Sequence, residues 1–111
     1  MENLTAKEGK NIAIIAYITF IGGIIALFMN KDKKNEFAAF HLRQAIGLHL
    51  LYLLLVFLVS GFDSWLITSA FWIFVFVLWI YGFAGALQGN KTLVPFLGEH
   101  FQKWFKTITE Y

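Results

Sequence analysis

The stretch Leu66-Ile-Thr-Ser-Ala-Phe-Trp-Ile-Phe-Val-Phe-Val-Leu-Trp-Ile-Tyr-Gly-Phe-Ala-Gly-Ala-Leu87 decides the fold. Its 22 residues include no Asp, Glu, Lys or Arg. At a rise of ~1.5 Å per residue, a helix of this length crosses a hydrocarbon core of ~30 Å. Two runs of 18 residues precede it, 12–29 and 45–62, and neither carries a charge. Each of the three runs holds ten to twelve Leu, Ile, Val or Phe residues. At roughly −0.3 to −0.6 kcal/mol per such residue at mid-membrane, insertion of each run is favoured by several kcal/mol.

Buried helices of a soluble protein are the competing explanation. The chain has 111 residues, of which 59% are hydrophobic and only 14% charged, whereas a soluble domain is about 25% charged. Three apolar helices in so small a chain leave nothing to shield them. The runs show no alternation of polar and apolar residues, so strands fit poorly, and a barrel would need about eight of them. The first run exceeds the ~7–15 residues of a signal-peptide core and is followed by lysines, so it is expected to remain as a span. The expectation is therefore all-α: a polytopic membrane helical bundle, one unit over 1–111, with three transmembrane helices at about 12–29, 45–62 and 66–87.

The flanks add shorter pieces. Thr5 and Glu8 form a T-x-x-E capping box, which starts the first helix before the bilayer. Asn30-Lys-Asp-Lys-Lys-Asn35 is a polar turn, with Asn35 placed to cap the next helix and Glu36 in its first turn. Phe37, Phe40, His41 and Gln44 then recur at helical spacing and share a face. This predicts a juxtamembrane helix before the second span, lying at the interface or feeding into that span. Asp63-Ser-Trp65 forces a tight antiparallel hairpin, with Asp63 or Ser64 as cap and Trp65 at the interface. Pro95 marks a helix start. A C-terminal amphipathic helix over about 95–108 would put Leu97, Phe101, Trp104, Phe105 and Ile108 on one face, with Glu99, Gln102, Lys103 and Lys106 elsewhere. It would lie among headgroups or against the spans, and both remain open.

With three spans, Lys7 and Lys10 fall on one side. Lys31, Lys33, Lys34, Arg43, Lys91, Lys103 and Lys106 fall on the other. Seven against two puts the C-terminus in the cytoplasm and the N-terminus outside.

Small residues let membrane helices approach: Gly22, Gly23 and Ala26, then Gly47, then Gly82, Gly85 and Gly89 with its G-x-x-x-G spacing. Packing among the spans is favoured over a dimer face, which leaves a homo-oligomer open. His49 is an intramembrane polar group. Metal or haem would need further ligands, and His41 and His100 lie near the interface, so a neutral His49 bonded to a carbonyl or hydroxyl of a neighbouring span is favoured. Arg43 either snorkels to phosphate or pairs with Glu36 or Glu99 and ties down the tail. The basic turn at 31–34 suits orientation or anionic lipid better than nucleic acid. No nucleophile motif, phosphate-cradling loop or carboxylate pair is present, and the absence of cysteine excludes disulfides and thiolate chemistry. The expectation is a protein that is not an enzyme and holds no metal, cofactor or nucleic acid.

Four segments in order, 14–22, Phe37-Ala-Ala-Phe-His-Leu-Arg-Gln-Ala45, 79–89 and Pro95-Phe-Leu-Gly98, resemble a family of small bacterial membrane proteins similar to the Tic-type import component of the chloroplast inner envelope. The resemblance implies a multi-pass protein of the bacterial cytoplasmic (inner) membrane. It also implies a loose link to protein transport. The function expected is a non-enzymatic accessory or scaffold subunit of a membrane complex, contacting lipid and other membrane proteins. Phe37, Phe40, His41, Arg43 and Gln44 are its candidate contact residues. An oligomeric channel or transporter component, with His49, Thr19 or Ser60 facing inward, is the alternative.

Overall fold

The structure, a computed structural model, describes residues 2–106, with side chains from Lys7 onward except that of Asp32. These residues form five α-helices and no strand: α1 (Glu2–Ile18), α2 (Phe20–Lys33), α3 (Glu36–Val59), α4 (Trp65–Gln88) and α5 (Gly98–Trp104). The all-α expectation holds. Two helices, α3 and α4, are long and apolar enough to cross a membrane.

The expected first span over 12–29 does not form as one helix. Thr19 breaks it in extended conformation (φ −147°, ψ 171°), and its hydroxyl accepts a hydrogen bond from the Gly22 N–H at 2.9 Å. A threonine that caps a new helix offers the backbone an alternative to continuing the old one. The chain then folds back. Gly22 lies so close to the Ile15 carbonyl that a Cβ there would collide with it, and Gly9 packs against Asn35 just past the end of α2. In a continuous helix Ile15 and Gly22 would stand ~10 Å apart. So α1 and α2 form a helical hairpin. The buried stripe of α2 is Gly22, Gly23, Ala26 and Asn30, and that of α1 is Ile12, Ala13, Ala16 and Tyr17.

Its tip stops halfway along α3 and α4. A cavity of about 410 Å3 lies beneath Ile18, Thr19 and Phe20, walled by Leu48, His49, Tyr52, Leu53, Val75 and Trp79. The buried residues of α3 all fall between Phe37 and Leu48, and those of α4 between Leu78 and Ala86. Beyond that level, among the described residues, α3 and α4 have only each other. Tyr52 meets Trp72 edge-on at 5.4 Å, while Leu54, Phe57, Leu66 and Ile73 are exposed.

The hairpin also moves the arm around Gly9. Gly9 lies beside Asn35, at the end of the bundle where Arg43 reaches Gln102 of α5 at 3.2 Å. The arm around Gly9, the 30–35 turn and α5 therefore share one end, whereas three spans would have put Lys7 and Lys10 at the other.

Local chemistry elsewhere follows the sequence. Asn35 caps α3 by accepting from the Ala38 N–H at 2.9 Å, and the juxtamembrane helix is continuous with the span. Asn30 and Asn35 exchange reciprocal bonds of 3.1 and 3.0 Å around Lys34, which is left-handed (φ 50°). Ser64 caps α4. α1 begins at Glu2, ahead of the expected Thr5 cap. Pro95 opens a turn, and α5 starts three residues later at Gly98. The expected contact at Ile108 lies outside the described residues.

Candidate functional site

The segment Phe40-His-Leu-Arg-Gln-Ala45 builds the polar centre of the crowded end. His41 and Gln44 lie one helical turn apart on the buried face of α3, opposite Tyr17 of α1. Gln44 Nε2 donates to the Tyr17 hydroxyl at 2.9 Å. That hydroxyl is thereby left to donate to His41 Nδ1 at 2.6 Å, and His41 Nε2–H donates to the Asn90 carbonyl at 2.8 Å. Each donor has one acceptor, which makes the imidazole the neutral Nε2–H tautomer. Gln44 also donates to the Thr92 carbonyl at 2.9 Å and accepts from the Val94 N–H at 2.8 Å. The irregular segment at 90–94 has no helical partners for these backbone groups, and α3 supplies them. Phe37 and Phe40 pack edge-on against the His41 ring, at 4.7 and 5.0 Å between centroids.

A second constellation serves the hairpin tip. Ending α1 halfway along the bundle frees its last carbonyls, which a hydrocarbon core cannot satisfy. His49 Nε2 donates to the Ala16 carbonyl at 2.8 Å, and Trp79 Nε1 donates to the Tyr17 carbonyl at 2.7 Å. One donor comes from each long helix. The reading of His49 as bonded to a neighbouring carbonyl agrees with this geometry. Replacing it by Leu should leave Ala16 unpartnered and destabilise the chain by about 1–3 kcal/mol, with Trp79→Phe costing a similar amount through Tyr17. Thermal unfolding in detergent, followed by circular dichroism, reads both. An unchanged midpoint for both variants would remove the capping role.

The tail is held by a third group. Arg43 donates to Gln102 Oε1, and Gln102 Nε2 donates to the Phe40 carbonyl at 2.9 Å. Arg43 thus ties α5 to the bundle, through Gln102. Phe101 lies directly on Gly47, where any Cβ would meet its ring. Gly47→Val should lift α5 off α3 while leaving the helical content of α3 intact, and faster proteolysis between 94 and 106 would register it.

The partner-contact candidates divide. Phe37, His41 and Gln44 are buried within the chain, whereas Phe40 and Arg43 are half-buried beside α5. The glycines serve internal packing: Gly23 meets His49, Gly82 meets Tyr17, Gly85 meets Thr92, and Gly89 ends α4 at φ 75°. Tyr17 and Trp79 were not among the sequence candidates. Their signal is a polar-tipped aromatic in mid-run, away from the interface, where its OH or N–H needs a partner. Among the described residues no three His, Asp or Glu converge on a metal-sized site, and no buried side-chain nitrogen or oxygen lacks a partner.

Comparison with known proteins gives two matches. A membrane protein of the UPF0132 group from Methanocaldococcus jannaschii is 25% identical over 96 residues, covering 84% of this chain and 67% of the relative. No solved structure matches. A family model matches residues 8–101, from the first turns of α1 to Phe101 of α5. Neither match names a chloroplast import component. The matched region takes in both hydrogen-bonded constellations and the hairpin, and the chain belongs to the MamF/MmsF family, described as magnetosome magnetite crystal formation proteins.

Proposed function

We propose that the chain is a non-enzymatic scaffold or accessory subunit of a membrane complex, presenting a rigid basic platform to the cytoplasm. The observation that carries this is the distribution of charge. Lys7, Lys10, Lys31, Lys33, Lys34, Arg43, Lys91, Lys103 and Lys106 all belong to the crowded end, and the opposite 60–64 turn carries only Asp63. Nine against none is a stronger bias than the three-span arrangement offered, and it argues that both termini face the cytoplasm. Among the described residues, the buried polar side chains beneath the platform are all hydrogen-bonded, which fixes it. The family description speaks of magnetite crystal formation. For this chain we read that as work done by arranging a membrane surface and its partners. A place beside a protein-translocation machine is one such setting.

The channel alternative draws on the cavity under the hairpin tip. Two of the polar groups near it are already engaged, Thr19 with Gly22 and His49 with Ala16.

Cross-linking in native membranes, followed by purification in mild detergent, tests the reading. The expected result is one stoichiometric membrane complex that is lost when Lys31, Lys33 and Lys34 are all replaced by Glu. Repeated recovery of the chain alone would overturn it.

A further inference from the structure

The two ends of the bundle differ in girth, and a bilayer must accommodate the difference. We propose that the chain is a one-leaflet wedge that selects curved membrane, favouring a leaflet that is convex on the basic side. This rests on the membrane placement and not on which partner the basic face holds.

Between Lys10 and Lys31 the hairpin carries no charge, so both arms can enter hydrocarbon. The apolar arms are Ile12–Ile18 and Phe20–Met29. At ~1.5 Å per residue they reach ~10–15 Å, about half of a ~30 Å core. The tip lies level with Leu48–Leu53 and Val75–Trp79, the middle of the two long helices. Three of the groups that its backbone break frees at that depth are bonded: the Gly22 N–H to Thr19, and the Ala16 and Tyr17 carbonyls to His49 and Trp79. The hairpin is thus equipped to remain at mid-depth and has no need to emerge on the far side.

The leaflet at the basic end therefore holds α1, α2, α3 and α4, with α5 packed beside them. The far leaflet holds only the outer halves of α3 and α4. With a helix diameter of about 10 Å, two extra helices add on the order of 150 Å2 of cross-section to one leaflet only. A flat bilayer must compress lipid on one side or leave it stretched on the other. A bilayer convex on the basic side removes that mismatch. The lone outer pair remains exposed on its flanks, with Phe57 at 77% and Trp65 at 80% accessibility, so nothing among the described residues restores the balance.

Purified full-length protein, labelled at Ser64→Cys and reconstituted into giant vesicles of zwitterionic phosphatidylcholine, gives the test. Membrane tubes are pulled from these vesicles and protein density on tube and vesicle is compared across tube radii, with orientation read by protease access to the tail. Neutral lipid removes attraction to anionic headgroups, and the absence of other proteins separates this result from any failure to find a partner. With the basic end outward, tube enrichment should rise above one and grow as the tube narrows. With the basic end inward, the protein should be depleted from tubes. A ratio of one at every radius, or the same sign in both orientations, would overturn the proposal.

Discussion

Gln44→Met should destabilise the chain by about 2–4 kcal/mol, although the side chain keeps nearly its volume and becomes more apolar. The amide of Gln44 makes three bonds, to the Tyr17 hydroxyl, the Thr92 carbonyl and the Val94 N–H. Two of those partners are backbone groups in a segment with no helix of its own. Removing the amide leaves Thr92 and Val94 unsatisfied against a buried wall, and an unpaired buried group costs more than the bond was worth. The effect should localise. The 89–97 connection should become protease-sensitive before the α3–α4 pair melts. A Tyr17→Phe comparison isolates the phenol, which bridges Gln44 and His41. It should cost less than Gln44→Met, because only side-chain groups lose a partner. Equal and negligible shifts in both unfolding midpoints would show that the crowded end is held by packing alone.

Thiol labelling should place residues 7 and 103 on the same side of the membrane, opposite residue 64. The natural chain has no cysteine, so Lys7→Cys, Lys103→Cys and Ser64→Cys each carry one reactive site. In sealed vesicles of one orientation, an impermeant maleimide should label the first two variants from one side and the third from the other, all or none in each case. A three-span protein would group residue 7 with residue 64. The hairpin forbids that, because Gly9 touches Asn35 and the break at Thr19 leaves each arm too short to cross. Labelling of Lys7→Cys together with Ser64→Cys would refute the hairpin topology and, with it, the wedge.

The sequence alone determined the helical class, the α3–α4 pair, the Asn35 cap, an α4 cap at Asp63 or Ser64, the tight 60–64 turn and the polar, internally bonded role of His49. These follow from local rules: charge-free length, cap chemistry and the cost of a bare polar group in oil. Length could not determine whether 12–29 crosses. Eighteen apolar residues satisfy the length rule whether they run straight or double back. The local hints at Thr19, Gly22 and Gly23 gain force only because α3 and α4 bring His49 and Trp79 to the broken end of α1. The fate of Phe37, His41 and Gln44 was equally hidden. Helical spacing groups them on one face, and only the tertiary fold turns that face inward, against Tyr17 and the 90–94 segment. A face is a property of one helix, whereas what covers it depends on residues distant in the chain on both sides, Tyr17 before it and 90–94 after it, and that long-range pairing exists only once the bundle has closed.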